Sequence, residues 1–257
     1  MNKRLMFSAA LVMALLSANA QKRAFTIEDL YRVKGVSSVS LSPDGKTVCY
    51  TASSSDLKNQ KSGSDIYIMN ADGSHAKALT EDGKSSSAVW SKDGKSIFFT
   101  NYEKGTAQIF RMDLTTCETE QVTDYELGIG SPVISPDERY IAFTAEVYPD
   151  LGADAKANKA RMEKKEQGPV QAHIADKLLY RHWTSYNDGR CNHLILFDTH
   201  TKTYKDLTPG NYSLIFVVGG GITYQFSPDS KEICFVSNHD EHQEASTNAD
   251  LWTVSVN

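Results

Sequence analysis

A chain of 257 residues with 40% hydrophobic and 23% charged side chains, 16 glycines and 7 prolines has the make-up of a folded protein, which excludes collagen-like, low-complexity and wholly disordered classes. Thirty-two acidic against 27 basic residues give a net charge of −5; with no basic run, that balance argues against nucleic acid as a partner. The length allows one large domain or two ordinary ones.

Residues 1–20 read as a secretory signal peptide. Lys3 and Arg4 precede an apolar run from Leu5 to Leu16, and Ala18-Asn19-Ala20 offers small residues for cleavage. The run is shorter than the about 20 apolar residues of a spanning helix. The expectation is a periplasmic or secreted chain starting at Gln21, with no membrane attachment after cleavage. Just beyond, Thr26 in N-cap position predicts a short helix over TIEDLYRV.

From Leu41 onward the sequence repeats. LSPDGKTVCYT (41–51), WSKDGKSIFFT (90–100), ISPDERYIAFT (134–144) and FSPDSKEICFV (226–236) each read as a strand end, a tight turn and a strand. Their aspartates, Asp44, Asp93, Asp137 and Asp229, stand 49, 44 and 92 residues apart, the last interval being twice 46. Pro43, Pro136 and Pro228 preset the turn, the aspartates cap it, and Gly45 and Gly94 fill a slot that needs a left-handed backbone. Glu138 and Ser230 hold that slot without glycine, at a cost of about 1 kcal/mol each.

DIYIMNADGSHAKALT (65–80), QIFRMDLTTCETEQVT (108–123) and HLILFDTHTKTYKDLT (193–208) add two further strands per unit. Four short antiparallel strands in about 45 residues make one propeller blade. The continuous apolar runs VCYT, IFFT and IAFT suit strands covered on both faces. The predicted fold class is therefore all-β: an incomplete β-propeller of about four blades at 35–82, 83–127, 128–209 and 210–257. DLWTVSVN (250–257) supplies only a third strand to the last unit, so the expectation is an open, poorly stable arc. The third blade carries an insertion at 146–188, rich in Ala, Lys and Glu, that reads as helical on both sides of Gly168-Pro169. It is either a solvated excursion or an element reaching over a pocket or toward another domain.

The insertion motifs EVYPDLGADAKANK and GPVQAHIADKLLYRHWTSYNDGRCNHLILFD, joined to the SPDG repeats, resemble the propeller of bacterial secreted peptidases of the prolyl oligopeptidase family, of dipeptidyl-peptidase and acylaminoacyl-peptidase type. The resemblance spans residues 25–257. It implies a propeller that gates access and orients short peptides for a C-terminal α/β-hydrolase domain bearing a Ser-Asp-His triad. No GxSxG nucleophile elbow occurs in the sequence, so no catalytic residue is assigned and the hydrolase half is expected beyond Asn257. The SPDG repeats also resemble the periplasmic Tol-system propeller, which leaves a stand-alone protein-binding propeller as the alternative.

The candidate substrate contacts are Arg181, His182 and Trp183, a planar cation, a titratable ring and an aromatic surface where the insertion returns to the propeller. Trp183 packing the insertion down while Arg181 meets a carboxylate is the competing, purely structural reading. The resemblance adds Glu163 and Glu166, since some relatives use propeller carboxylates to hold a peptide's amino group. His239 and His242 sit in a polar loop without the helical spacing of a zinc site, and no cofactor or metal is expected. Cys49 and Cys234 read as buried strand residues, Cys117 and Cys191 as exposed thiols near turns. Gly219-Gly220-Gly221 reads as a bend, and Asn211-Tyr212-Ser213 matches a glycosylation acceptor.

Overall fold

The computed structural model describes residues 23–175, 178, 180–214 and 223–257. The signal segment at 1–20 and the glycines at 219–221 lie outside them. A short helix, α1 (Ile27–Arg32), opens the described chain. Its N-cap is Thr26, whose backbone N–H donates to the Asp29 carboxylate at 2.9 Å. The TIEDLYRV segment is thus helical, as its capping residues require.

Four antiparallel sheets follow. The first holds β1 (Gly35–Leu41), β2 (Thr47–Asp56), β3 (Lys61–Asn70) and β4 (Lys77–Ala78) in sequence order. The second holds β5 (Ser85–Trp90), β6 (Ser96–Asn101), β7 (Gln108–Asp113) and β8 (Thr119–Gln121). In the third, β9 (Gly130–Ile134) and β10 (Tyr140–Val147) are followed by an insertion. That insertion carries helix α2 (Ala155–Glu166) and a hairpin of β11 (Arg181–His182) and β12 (Ser185–Tyr186). The third sheet resumes with β13 (Cys191–Asp198) and β14 (Thr203–Asp206), and the last has β15 (Tyr224–Phe226), β16 (Glu232–Ser237) and β17 (Asp250–Ser255). Among the described residues no strand of the first sheet pairs with one of the last. The fold is an incomplete β-propeller.

Successive sheets bury one shared seam each. Cys49 and Ile66 of the first meet Ile97, Phe99 and Met112 of the second. Phe98 and Ile109 of the second meet Ile141, Phe143, Ile195 and Phe197 of the third. Ala142, Leu194 and Leu196 of the third meet Tyr224, Ile233 and Phe235 of the last. The period of two along a strand explains the alternation: one residue of β6 or β10 looks back, the next looks forward.

The four turns share one hydrogen-bonded frame. The hydroxyls of Ser42, Ser91, Ser135 and Ser227 donate to Asp44, Asp93, Asp137 and Asp229 at 2.6–2.7 Å. Each aspartate also accepts the backbone N–H two residues on. The slot after each aspartate is left-handed in all four: Gly45 (φ 72°), Gly94 (φ 69°), Glu138 (φ 61°) and Ser230 (φ 61°). The two non-glycine occupants reach the preceding blade's turn. The Glu138 carboxylate accepts the N–H of Lys92, and the Ser230 hydroxyl accepts that of Asp137 at 3.1 Å. A further repeat escaped the sequence reading: Ser38, Ser87 and Ser131, at φ 50°, 56° and 46°, lie in β1, β5 and β9, at or next to irregularities in strand pairing.

Three expectations are corrected. Within the described part of the insertion no helix follows Gly168. Residues 169–175 are exposed, Val170 and Ile174 among them, and a short helix whose apolar residues stay unburied is marginal in water. Cys234 is half-buried rather than buried, because the face of β16 that carries it is uncovered, and Cys191 is half-buried rather than exposed, lying against Asn211. All four cysteines are free, and burial pushes the Cys49 thiol up to about 11.

Candidate functional site

The Ser-Pro-Asp turns occupy one end of the arc. At the other end lie the β6–β7 loop, the link from β8 to β9, and the roots of the insertion at Val147 and Cys191. These enclose a pocket of about 660 Å³.

The link is held by Gln108, the first residue of β7. Its Oε1 accepts from the Thr123 hydroxyl at 2.8 Å and the Tyr125 N–H at 3.1 Å, and its Nε2 donates to the Tyr125 carbonyl at 2.7 Å. Tyr125 is buried, packs edge-on against Phe143 at 5.2 Å and donates to the Ala153 carbonyl at 3.3 Å. Gly128, at φ 77°, lets the link pass over Thr106 where a Cβ would stand 3.2 Å from that side chain.

The opposite wall is helix α2. Asp154 caps it by accepting the Ala157 N–H at 2.9 Å. Asn158, fully buried, accepts the Tyr148 N–H at 2.7 Å and donates to the carbonyls of Gly152 at 3.0 Å and Asp154 at 2.8 Å. Arg161 grips Asp150 with two bonds of 2.7 Å and covers the Tyr148 ring at 4.7 Å. So fixed, α2 turns Lys159, Met162, Glu163 and Glu166 to the pocket, a spacing that places them on one helix face.

The charges do not balance. Lys159 pairs with Glu126 at 3.3 Å, and Arg190 with Glu146 at 3.1 Å and Asp188 at 3.0 Å. Burial works against the Arg190 cation, but the Asp188 hydrogen bond and the charges of Asp188 and Glu146 raise its pKa on balance. Glu163 and Glu166 have no ion-pair partner among the described residues. The pocket therefore offers two uncompensated carboxylates above an apolar floor that includes Leu127, Ile129 and Ala145. Such an arrangement attracts a cationic group carried on an apolar body.

The structure brings Glu163 and Glu166 together and separates them from the other candidates. Arg181, His182 and Trp183 belong to the β11–β12 hairpin and are not among the pocket-lining residues. Trp183 is 83% exposed, which overturns its reading as a packed anchor: the hairpin is two residues deep and has no core of its own. Arg181 lies over the Tyr186 ring at 6.0 Å. His239 stacks between Tyr212 at 3.8 Å and Trp252 at 4.1 Å. Among the described residues no group of three or more His, Cys, Asp or Glu is placed to hold a metal ion.

Sequence reasoning missed Asn158, Gln108 and His193. His193 is wholly buried, with Nδ1 at 2.7 Å from Asp206 and Nε2 at 3.0 Å from the Gly210 carbonyl. Both partners are acceptors, so both ring nitrogens carry protons and the ring is an imidazolium. Burial opposes that charge, but the Asp206 hydrogen bond leads the contacts that raise the pKa from 6.5 to about 9. The only sequence signal was polarity inside an apolar strand, NHLILF.

A family model described as the TolB beta propeller domain, PD40, matches residues 19–166. Dipeptidyl-peptidase 5 of Porphyromonas gingivalis is 29% identical over 228 residues, covering 86% of this chain and 32% of that protein. An uncharacterized peptidase of Bacillus subtilis, YuxL, is 25% identical across 91% of this chain and 34% of its own length. The chain spans about a third of the length of these relatives. Among solved structures, the acylaminoacyl peptidase of Pyrococcus horikoshii superposes with a TM-score of 0.61 at 17% identity, over 88% of this chain and 31% of that one; this likeness bears on fold.

Proposed function

The chain belongs to the PD40 family of TolB-type β-propeller domains, and from that premise we propose that it is the propeller portion of an exported serine peptidase of the prolyl oligopeptidase family. In this reading it admits short peptides and orients them for an α/β-hydrolase domain, while bond cleavage belongs to that other domain. Glu163 and Glu166 hold the peptide's terminal ammonium group, with Met162, Leu127 and Ile129 beneath its first side chain. Arg181, His182 and Trp183, on the projecting hairpin, form a second contact further along the peptide.

The observation that carries the proposal is the pair of unpartnered carboxylates on one face of α2, above an apolar floor. An ammonium desolvated between two carboxylates is worth more than either surface pair alone. That relatives bear the name dipeptidyl-peptidase supports the same reading, since an enzyme that counts residues from the amino end must recognise that end.

The test is calorimetric titration of the chain with an apolar tripeptide and with its N-acetylated form. The free-amine peptide is expected to bind at least about tenfold more tightly, one ammonium-carboxylate contact being worth about 1.4 kcal/mol or more in this setting. Glu163→Gln with Glu166→Gln should abolish that preference. Equal affinity for both peptides, or binding only of a folded protein partner, would replace this reading by that of a Tol-type binding propeller.

A further inference from the structure

Asp65, Gln108 and His193 head the equivalent segments DIYIMN, QIFRMD and HLILFD, and each grips the link that leaves its sheet for the next. The Asp65 carboxylate accepts the Thr80 hydroxyl at 3.1 Å and the Gly83 N–H at 3.0 Å. Gln108 binds Thr123 and Tyr125, and His193 donates from Nε2 to the Gly210 carbonyl at 3.0 Å. Beside each grip a threonine hydroxyl, of Thr80, Thr123 or Thr208, accepts the N–H of Ile66, Ile109 or Leu194 at 2.9 Å. The third grip differs in kind. An amide does not titrate and an ionised carboxylate accepts without a proton, whereas the ring holds Gly210 only while Nε2 is protonated. Beyond Gly210 the link is tightly folded. A Cβ on that glycine would stand 2.6 Å from the Tyr212 ring, and the Tyr212 hydroxyl donates to the Pro209 carbonyl at 3.1 Å. The Ser213 hydroxyl accepts the Asn192 N–H at 3.0 Å, and the Leu214 N–H donates to the Asn192 carbonyl at 2.9 Å. Asn192 lines the pocket. On the other side of the ring, a Cβ on Gly152 would stand 3.2 Å from the Asp206 carboxylate, so the root of the insertion rests on the same pair.

We propose that His193 is a proton-operated latch: the doubly protonated ring fixes the 209–214 link and with it Asn192, and loss of the Nε2 proton frees both. Nδ1 keeps its proton because it faces a carboxylate 2.7 Å away. Nε2 then turns a lone pair on the Gly210 carbonyl, two acceptors with no proton between them, in a buried site where an unmet acceptor is costly. The titratable and charged groups about the ring are few. Asp206 comes from β14 and Cys191 from β13 itself. Tyr125, on the link between β8 and β9, lies within electrostatic reach of Asp206 and of Asp154 in the insertion. The 209–214 link brings Tyr212 and no charged residue, and residues 215–222 carry no titratable side chain. Burial disfavours the ring's proton, and the Asp206 hydrogen bond with the lesser contacts more than restores it, to a pKa of about 9. The latch is therefore shut at neutral pH and opens as pH rises through about 9. Only the step from Asn192 to peptide binding rests on the peptidase reading.

Nuclear magnetic resonance of the isotope-labelled chain, titrated from about pH 6.5 to about 10, tests this through the ring nitrogens of His193 and the carbonyl carbons of Gly210 and Asn192. Both ring nitrogens should be protonated at neutral pH, and Nε2 alone should lose its proton, with a midpoint near about 9. The Gly210 and Asn192 signals should move with that same midpoint, and should do so again with Cys191→Ser, which removes the neighbouring thiol. His193→Gln with Asp206→Gln installs the pair that the second sheet carries at Gln108 and Gln121, and should hold both carbonyl signals still. If that variant misfolds, the parent titration decides alone. A neutral ring at pH 7, a proton lost first from Nδ1, or carbonyl signals that stay still while the ring titrates overturns the proposal. A tripeptide with a trimethylated amino end, whose charge does not vary with pH, gives the second readout. Its affinity should fall about fivefold or more over the same window in the parent and stay level in the variant. Unchanged affinity while the carbonyl signals move overturns the coupling to the pocket. Failure to bind at any pH while those signals move counts against the peptidase reading and for a latch that serves the link alone.

Discussion

Single residues decide how one sheet holds the next. Glu138 and Ser230 accept left-handed backbone that glycine would adopt freely, and in return each captures an N–H of the preceding turn. Glu138→Ala should therefore lose the bond and keep the strain, destabilising by about 1 kcal/mol. Glu138→Gly relieves the strain and should fall nearer to the parent; thermal denaturation of the pair separates the two effects. The left-handed slot was legible in the sequence because the repeat aligned Glu and Ser with Gly, but the compensating contact was not, since it joins turns 46 and 93 residues apart. His193 makes a second prediction. Its folded pKa of about 9 exceeds the ordinary 6.5, so its contribution to stability is complete below about pH 6.5 and is lost as pH rises through about 9. The unfolding midpoint should drop over that window, by the equivalent of about 3 kcal/mol. Asp206→Asn should lower stability at neutral pH and flatten the profile.

At the scale of elements, helix α2 owes its place to one buried amide. Without Asn158 the Tyr148 N–H and two carbonyls lose their partners. Asn158→Ala should cost about 2–3 kcal/mol and raise hydrogen exchange in α2 while leaving β6 and β7 protected. Peptide binding should weaken with it, since Glu163 and Glu166 ride on that helix. Sequence pattern located this helix well, because an Ala-Lys-Glu-rich run with an Asp N-cap is a local signal. It failed past Gly168, where composition promised helix but residues 169–175 lie exposed, with the His173 ring stacked on Tyr186 at 3.9 Å. Glu163 and Glu166 were visible as residues; that they face the β8–β9 link was not, because that depends on Gln108 and Tyr125 reaching across the blade.

For the whole molecule, the period of the Asp turns was enough to read the architecture, since each repeat is one sheet and local hairpins set its order. What the period cannot give is the state of the two end faces, which depends on what covers them. Val36, Val39, Leu41 and Leu251 are exposed among the described residues.

The pairing of β10 with β13 is continuous from Tyr140–Asp198 to Val147–Cys191. The third sheet is thus complete without whatever hangs between Val147 and Cys191. Lengthening such a loop is cheap, each doubling costing only about 0.6 kcal/mol. The sheet therefore fixes where the insertion emerges, while the blades beneath ask of it only a few contacts, an acceptor for the Tyr125 hydroxyl and apolar cover from Ala153 and Ala155. A segment that keeps those contacts is free to change the guest it faces.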